Sequence, residues 1–237
     1  MLAAMDDPPR FEGFADTRAR FFGELILHND RDWFQAHRTE YERGWLAPMK
    51  ALLAAVAPRL ARAYPAHRIG DPKVFRIHRD VRFSRDKSPY KTHIGGLLPI
   101  GPPRAGGSPV EVPAALYFHV SAGELFCGAG LYGMDAETLA RYRRAVLDSR
   151  RGAELGRIAG ALERRGYEIA AREQSKRVPR GADPAHPRAD LLRMKGLFAS
   201  GPALDRRLLV REELVGAVAA VARGAAQLVR WLLRCAV

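Results

Sequence analysis

The spacing of hydrophobic residues changes twice along this chain, and that change constrains the fold class more than any other feature. Up to about residue 63 the apolar positions recur at helical intervals, from Lys73 to Leu131 they alternate or form short runs, and beyond Asp135 the helical interval returns. A period near 3.6 lines one side of a helix, whereas a period of two lines one face of a strand. This order predicts an α+β fold: N-terminal helices, a central mostly antiparallel sheet, and C-terminal helices packed in a single domain. The expected domain is 11–237, with 1–10 as a flexible N-terminal tail.

Local signals place the elements. Asp16 or Thr17 is expected to cap a helix to about His28, with Phe21, Phe22, Leu25 and Ile26 as its buried stripe. Asp30 is expected to cap a second helix to about Arg43 that carries Trp33, Phe34, His37 and Tyr41 on one face, and a third runs from Ala47 to Ala63. Lys73 to Phe83 reads as a strand with Phe75, Ile77, Val81 and Phe83 on one side and Arg76, His78, Asp80 and Arg82 on the other. Strands are expected at His93 to Ile100, Val112 to Val120 and Glu124 to Leu131, with Gly101 to Pro109 as a loop and a turn at Ser121-Ala122-Gly123. Asp135 is expected to cap a helix to about Asp148, another helix spans Gly152 to Arg165, and Lys176 to Pro187 is a loop. The last helix, Glu212 to Leu233, spaces Leu214, Val218, Val221, Ala225, Leu228 and Leu232 as one apolar stripe. Arg223, Arg230 and Arg234 accompany it and raise a membrane-surface alternative, but a stripe packed on a core is the commoner cause.

The chain has 237 residues, of which 47% are hydrophobic, enough for a sizeable core. Its 39 Lys and Arg exceed its 26 Asp and Glu, for a formal charge of +13. Such an excess favours acidic partners: nucleic acid, phosphorylated small molecules or an anionic membrane face. Arginine, alanine, glycine and proline are all abundant and Asn29 is the only asparagine, a bias that a GC-rich genome also produces without any functional cause. Cys127 and Cys235 stand far apart in no motif, as a reducing compartment allows. There is no signal-peptide pattern and no membrane-length apolar run, so a cytoplasmic protein without integral membrane association is expected. The oligomeric state is not readable.

Several motifs fail on inspection. His78-Arg79-Asp80 spells the start of a kinase catalytic loop, but Arg85 stands where a metal-binding Asn is needed. Gly128-Ala129-Gly130-Leu131-Tyr132-Gly133 matches a dinucleotide fingerprint in letters. Its glycines precede the helix cap Asp135 and follow half of a hairpin, so they read as strand-edge glycines. No phosphate loop, zinc motif or nucleophile elbow occurs, and neither a metal set nor a cofactor is expected.

What stands out is Phe75 to Lys91. It carries seven cationic groups (Arg76, Arg79, Arg82, Arg85, Lys87, Lys91 and protonated His78) against Asp80 and Asp86. Guanidinium forks bind phosphate or carboxylate bidentately, and Tyr90 offers a ring for stacking. Arg31, Arg38, Lys176 and Arg180 are further expected contributors. The alternative is that alternating Arg and Asp pair with one another along an exposed strand.

The same segment carries a family resemblance. Phe75-Arg76-Ile77-x-Arg79-Asp80-Val81-Arg82-Phe83-Ser84-x-Asp86-Lys87-x-Pro89-Tyr90-Lys91-Thr92 is its most specific part. Phe11-x-Gly13-Phe14, Asn29-x-Arg31-x-Trp33-Phe34 with Arg38 and Tyr41, Pro48-Met49, Gly128-x-Gly130-Leu131, Leu139 with Arg143, Pro179-Arg180-Gly181 and His186-Pro187 extend it. Over about Phe11 to Leu197 the chain resembles the bacterial and fungal family called domain of unknown function 2461, departing from it at His28 and Ala114-Ala115. The resemblance implies that the basic segment is a family hallmark and implies no activity.

The leading expectation is therefore a protein that binds a phosphorylated or other anionic ligand, nucleic acid included, through Arg76, Arg79, Arg82, Lys87, Tyr90 and Lys91. One alternative is an enzyme acting on an anionic substrate with Asp80 or His78 as acid or base. The other is a basic protein-interaction module.

Overall fold

The computed structural model describes residues 10–82, 85–101 and 114–237. All but the last residue of the expected N-terminal tail, the Phe83-Ser84 part of the basic segment, most of the Gly101 to Pro109 loop, and the start of the strand expected from Val112 lie outside the described residues.

Helix α1 (Arg20–Leu27) follows Asp16, whose carboxylate accepts from the Arg18 and Arg20 amides at 2.7 and 3.3 Å. It buries Phe21, Phe22 and Leu25, but Ile26 is 58% exposed. The expected stripe was one residue too wide, because Ile26 turns about 100° away from Leu25 on so short a helix. Asp30 caps α2 (Arg31–Ala36) by accepting from the Trp33 amide at 2.9 Å. The helix expected from Arg31 to Arg43 breaks at His37, resumes as α3 (Arg38–Tyr41), and passes through a π-helical turn at Glu42–Leu46 into α4 (Ala47–Leu60).

Six antiparallel strands make the sheet: β1 (Lys73–Val74), β2 (His93–Pro99), β3 (Ala115–Ser121), β4 (Leu125–Leu131), β5 (Glu168–Ala170) and β6 (Leu197–Ser200), in the order β1-β2-β3-β4-β6-β5. The last two were not legible in the sequence, being only three and four residues long. The strand expected over Lys73 to Phe83 is a correction. It leaves the ladder after the Phe75 amide donates to Gly95 and folds back as an irregular hairpin. In that hairpin Arg79 N–H donates to Pro89 O, and Lys91 N–H donates to Ile77 O, both at 2.8 Å.

Between β4 and β5 lie α5 (Ala136–Leu147), capped by Asp135, and α6 (Ser149–Glu163), capped by Asp148. After β5 come α7 (Ala189–Arg193), then α8 (Glu213–Gly224) and α9 (Ala226–Cys235). The single long C-terminal helix is thus two, divided near Ala225. The Tyr167 and Tyr64 hydroxyls donate to the Val221 and Ala222 carbonyls at 3.0 and 2.9 Å, in the last turn of α8. The whole expected stripe from Leu214 to Leu232 is buried, and α8 and α9 both pack on β4. That stripe is therefore packed on the core and is not presented to a membrane surface.

Cross-strand register assigns the sheet faces. Ile94, Leu98, Leu116, Phe118, Val120, Cys127, Ala129 and Ala199 point toward the helices and are buried. Phe14 stacks on both Trp45 and Phe118, tying the N-terminal segment to the sheet core. Each buried Ile, Leu, Val or Phe among these contributes roughly 1.5–3 kcal/mol by leaving water. The opposite face bears Phe75, His93, Gly95, Leu97, Tyr117, His119, Phe126, Gly128 and Phe198. No helix among the described residues is long and apolar enough to cross a membrane.

Candidate ligand-binding cleft

Two arginines of the basic segment pair with its two acids. Arg82 donates to Asp80 through Nε at 3.0 Å and Nη2 at 2.7 Å. The hydrogen bonds from Arg82 hold the Asp80 carboxyl down at about 2. Arg79 pairs with Asp86, which also accepts from the amide and hydroxyl of Ser88. Lys87 Nζ donates to the Val81 carbonyl at 2.9 Å. Arg38 pairs with Glu42 at 2.7 Å, a helical pair four residues apart. Arg31, Lys176 and Arg180 are exposed and, like His78, line no cleft described below.

Tyr90 corrects the sequence reading. It is 3% exposed and stacks on Phe34 at 4.2 Å between ring centroids. The ring anchors the hairpin to α2 and offers no face to a base.

Lys91, the next residue, behaves differently. Backbone alternation swings it away from the core, and its Nζ donates to the Arg76 carbonyl at 2.9 Å while lying 5.8 Å from the Phe75 ring centroid. Partial burial lowers its pKa, and the charges of Arg76 and Arg79 lower it further. An ammonium so placed gains from a neighbouring anion, whose attraction offsets both effects.

Lys91 opens onto a cleft of about 400 Å³ on the sheet face that no helix covers among the described residues. Its rings form a continuous series. Phe75 contacts Tyr117 at 6.1 Å, Tyr117 contacts Phe126 at 5.9 Å, Phe126 contacts Phe198 at 6.2 Å, and Phe198 contacts Tyr132 at 6.5 Å. Arg172 then lies over Tyr132 at 5.1 Å, so a cation stands at each end of the series.

Two glycines make this possible. A Cβ on Gly95 would meet the Tyr117 hydroxyl at 2.5 Å, so the ring lies across the strand only because Gly95 has no side chain. Gly130 has φ +155°, and a Cβ there would fall 2.3 Å from the Leu197 carbonyl on β6. The dinucleotide-like glycine run thus serves close strand approach at the cleft floor. Beside the cleft, His93 and His119 stack at 4.5 Å, and Nδ1 of His119 lies 3.0 Å from the Tyr117 hydroxyl. Burial, then the His119 ring, Lys91 and Arg79, push His93 down to about 4, and burial lowers His119.

Of the predicted binding residues, Lys91 alone lines this cleft, with Arg76 and Arg79 acting on its charge. Arg172 escaped sequence reasoning. It follows a three-residue strand with no motif around it, and only the fold carries it to Tyr132. Among the described residues no group of three or more His, Cys, Asp or Glu is arranged to hold a metal.

The family model described as "Conserved hypothetical protein (DUF2461)" matches residues 18–231. A search of curated proteins finds no match to the chain.

Proposed function

The chain belongs to the DUF2461 family of conserved hypothetical proteins, a description that carries no activity, so from its own geometry we propose that it binds a small anionic ligand with a planar apolar ring in the cleft on the open sheet face. The observation that carries this reading is the unbroken series of five aromatic rings with Lys91 at one end and Arg172 at the other. Ligand sites are commonly concave and mostly apolar, with a few polar groups fixing orientation. The rings offer faces and edges to a planar group, and the cations match a phosphate or carboxylate. This keeps the anionic ligand expected from the sequence but moves its seat from the paired arginines of the hairpin to the cleft beside it.

Acid–base chemistry at Asp80 gains no support, since its bond to Arg82 makes it a weak base, and neither Asp80 nor His78 lines the cleft. Calorimetric titration with a panel of ring-bearing phosphates and carboxylates, each beside its uncharged parent, tests the proposal. Charged members should bind and their parents should bind at least tenfold more weakly. A panel in which none binds, or in which charge makes no difference, contradicts it.

A further inference from the structure

A second basic feature lies on the helical side of the molecule, remote in character from the aromatic cleft. Arg150, Glu154 and Arg157 recur at steps of four and three along α6, and Arg230 and Arg234 are four apart on α9. These stripes, with Arg151, line one open groove of about 830 Å³. The helices are locked together by Trp231, whose Nε1 donates to the Arg151 carbonyl at 3.1 Å. Arg234 pairs with Glu154 at 2.7 Å, and Glu154 is the groove's sole acid, so five arginines against one carboxylate leave four positive charges.

This arrangement opposes local stability in two ways. Arg150 and Arg151 occupy the first turn of α6, the positive end of its dipole, where a carboxylate would be favoured. Arg230 and Arg234 repel each other as like charges four apart. Asp148, accepting from the Arg150 and Arg151 amides, offsets only part of this. An external anion would relieve both conflicts together.

We infer that the α6–α9 groove is a binding site for the phosphodiester backbone of nucleic acid. Arg150 to Arg157 spans about 10 Å along the helix axis, about three phosphates of one strand at 3.4 Å each. The guanidinium fork suits phosphate oxygens. A protein partner would want an apolar anchor. The groove offers only buried Ile158, and the apolar side of α9 (Leu228, Val229, Leu232) is already packed inside, which also leaves nothing to insert into a lipid surface.

The test is fluorescence anisotropy of the whole protein with a fluorescein-labelled 20-base single strand and its duplex, titrated at several salt concentrations. Wild type should bind, and affinity should fall steeply with salt. The triple variant Arg150→Gln/Arg157→Gln/Arg230→Gln should bind at least tenfold more weakly, with the slope of log affinity against log salt shallower by about two to three for duplex. It should melt no lower than wild type, since the removed charges repel one another. Should the triple variant fail to fold, Arg157→Gln alone should reduce the slope by about one. A Lys91→Met/Arg172→Met variant should bind nucleic acid as wild type does, which separates this site from the cleft. The inference is overturned if wild type shows no salt-dependent binding, if the arginine variants keep the wild-type slope, or if anionic vesicles or polyglutamate bind while the oligonucleotides do not.

Discussion

Asn29 holds the backbone of Tyr90 with both ends of its carboxamide. Its Nδ2 donates to the Tyr90 carbonyl, and its Oδ1 accepts from the Tyr90 amide, each at 3.0 Å. The only asparagine in the chain therefore pins the basic hairpin to the start of α2 and fixes where Lys91 emerges. Asn29→Ala should cost about 2–3 kcal/mol, because two backbone groups lose their partners. Asn29→Asp should cost at least as much, since a carboxylate replaces the donor facing the Tyr90 carbonyl. Urea denaturation measures both, and wild-type midpoints would show that the clamp is dispensable.

Gly130 allows β4 and β6 to meet at the cleft floor. Gly130→Ala should destabilise the fold by at least about 2 kcal/mol, from the positive φ and from the Cβ 2.3 Å from the Leu197 carbonyl. Thermal melts compared with those of Gly133→Ala, where an added Cβ meets nothing within 4 Å, isolate the effect of close approach.

Stability should fall with acid in a window set by the stacked histidines. His93 is held near 4 in the folded protein, against about 6.5 in an unfolded chain. The unfolded chain takes up the proton first, so this contribution is complete above about pH 6.5 and is lost as pH falls toward 4. The lowered His119 acts in the same direction. His93→Gln should flatten the melting temperature between pH 6.5 and 4. Asp80, held at about 2, loses its contribution only between about 4 and 2, so the two windows are separable.

The junction between α8 and α9 should depend on two hydroxyls. Tyr64→Phe and Tyr167→Phe each remove a donor to adjacent carbonyls of α8, Ala222 and Val221. Each should cost about 1 kcal/mol, and because the sites adjoin, the double variant should depart from additivity. Denaturant titration of the two single variants and the double completes the cycle.

How much of this was legible beforehand follows the length of each signal. The stripe from Leu214 to Leu232, the caps Asp30 and Asp135, and the β3–β4 hairpin were readable because periodicity and capping act over many residues or at fixed offsets. The hairpin after Phe75 was not, because Ile77 is buried between exposed neighbours whether the segment pairs in a sheet or folds on itself. The basic segment pointed toward the cleft through Lys91 only. Tyr90 reads as surface in the sequence and is buried because Phe34, more than fifty residues away, supplies its partner. The aromatic series joins residues from four strands or their flanks, and Arg172 comes from just past a fifth, the three-residue β5, so its geometry exists only after the sheet has formed.

The most direct test of the cleft is calorimetric titration of 1-naphthyl phosphate and 1-naphthol into wild type, Lys91→Met and Arg172→Met. Wild type should prefer the phosphate at least tenfold, and at least one methionine variant should lose most of that preference while still accepting the ring. Equal affinity of wild type for both compounds, or a phosphate preference unchanged in both variants, would contradict the account.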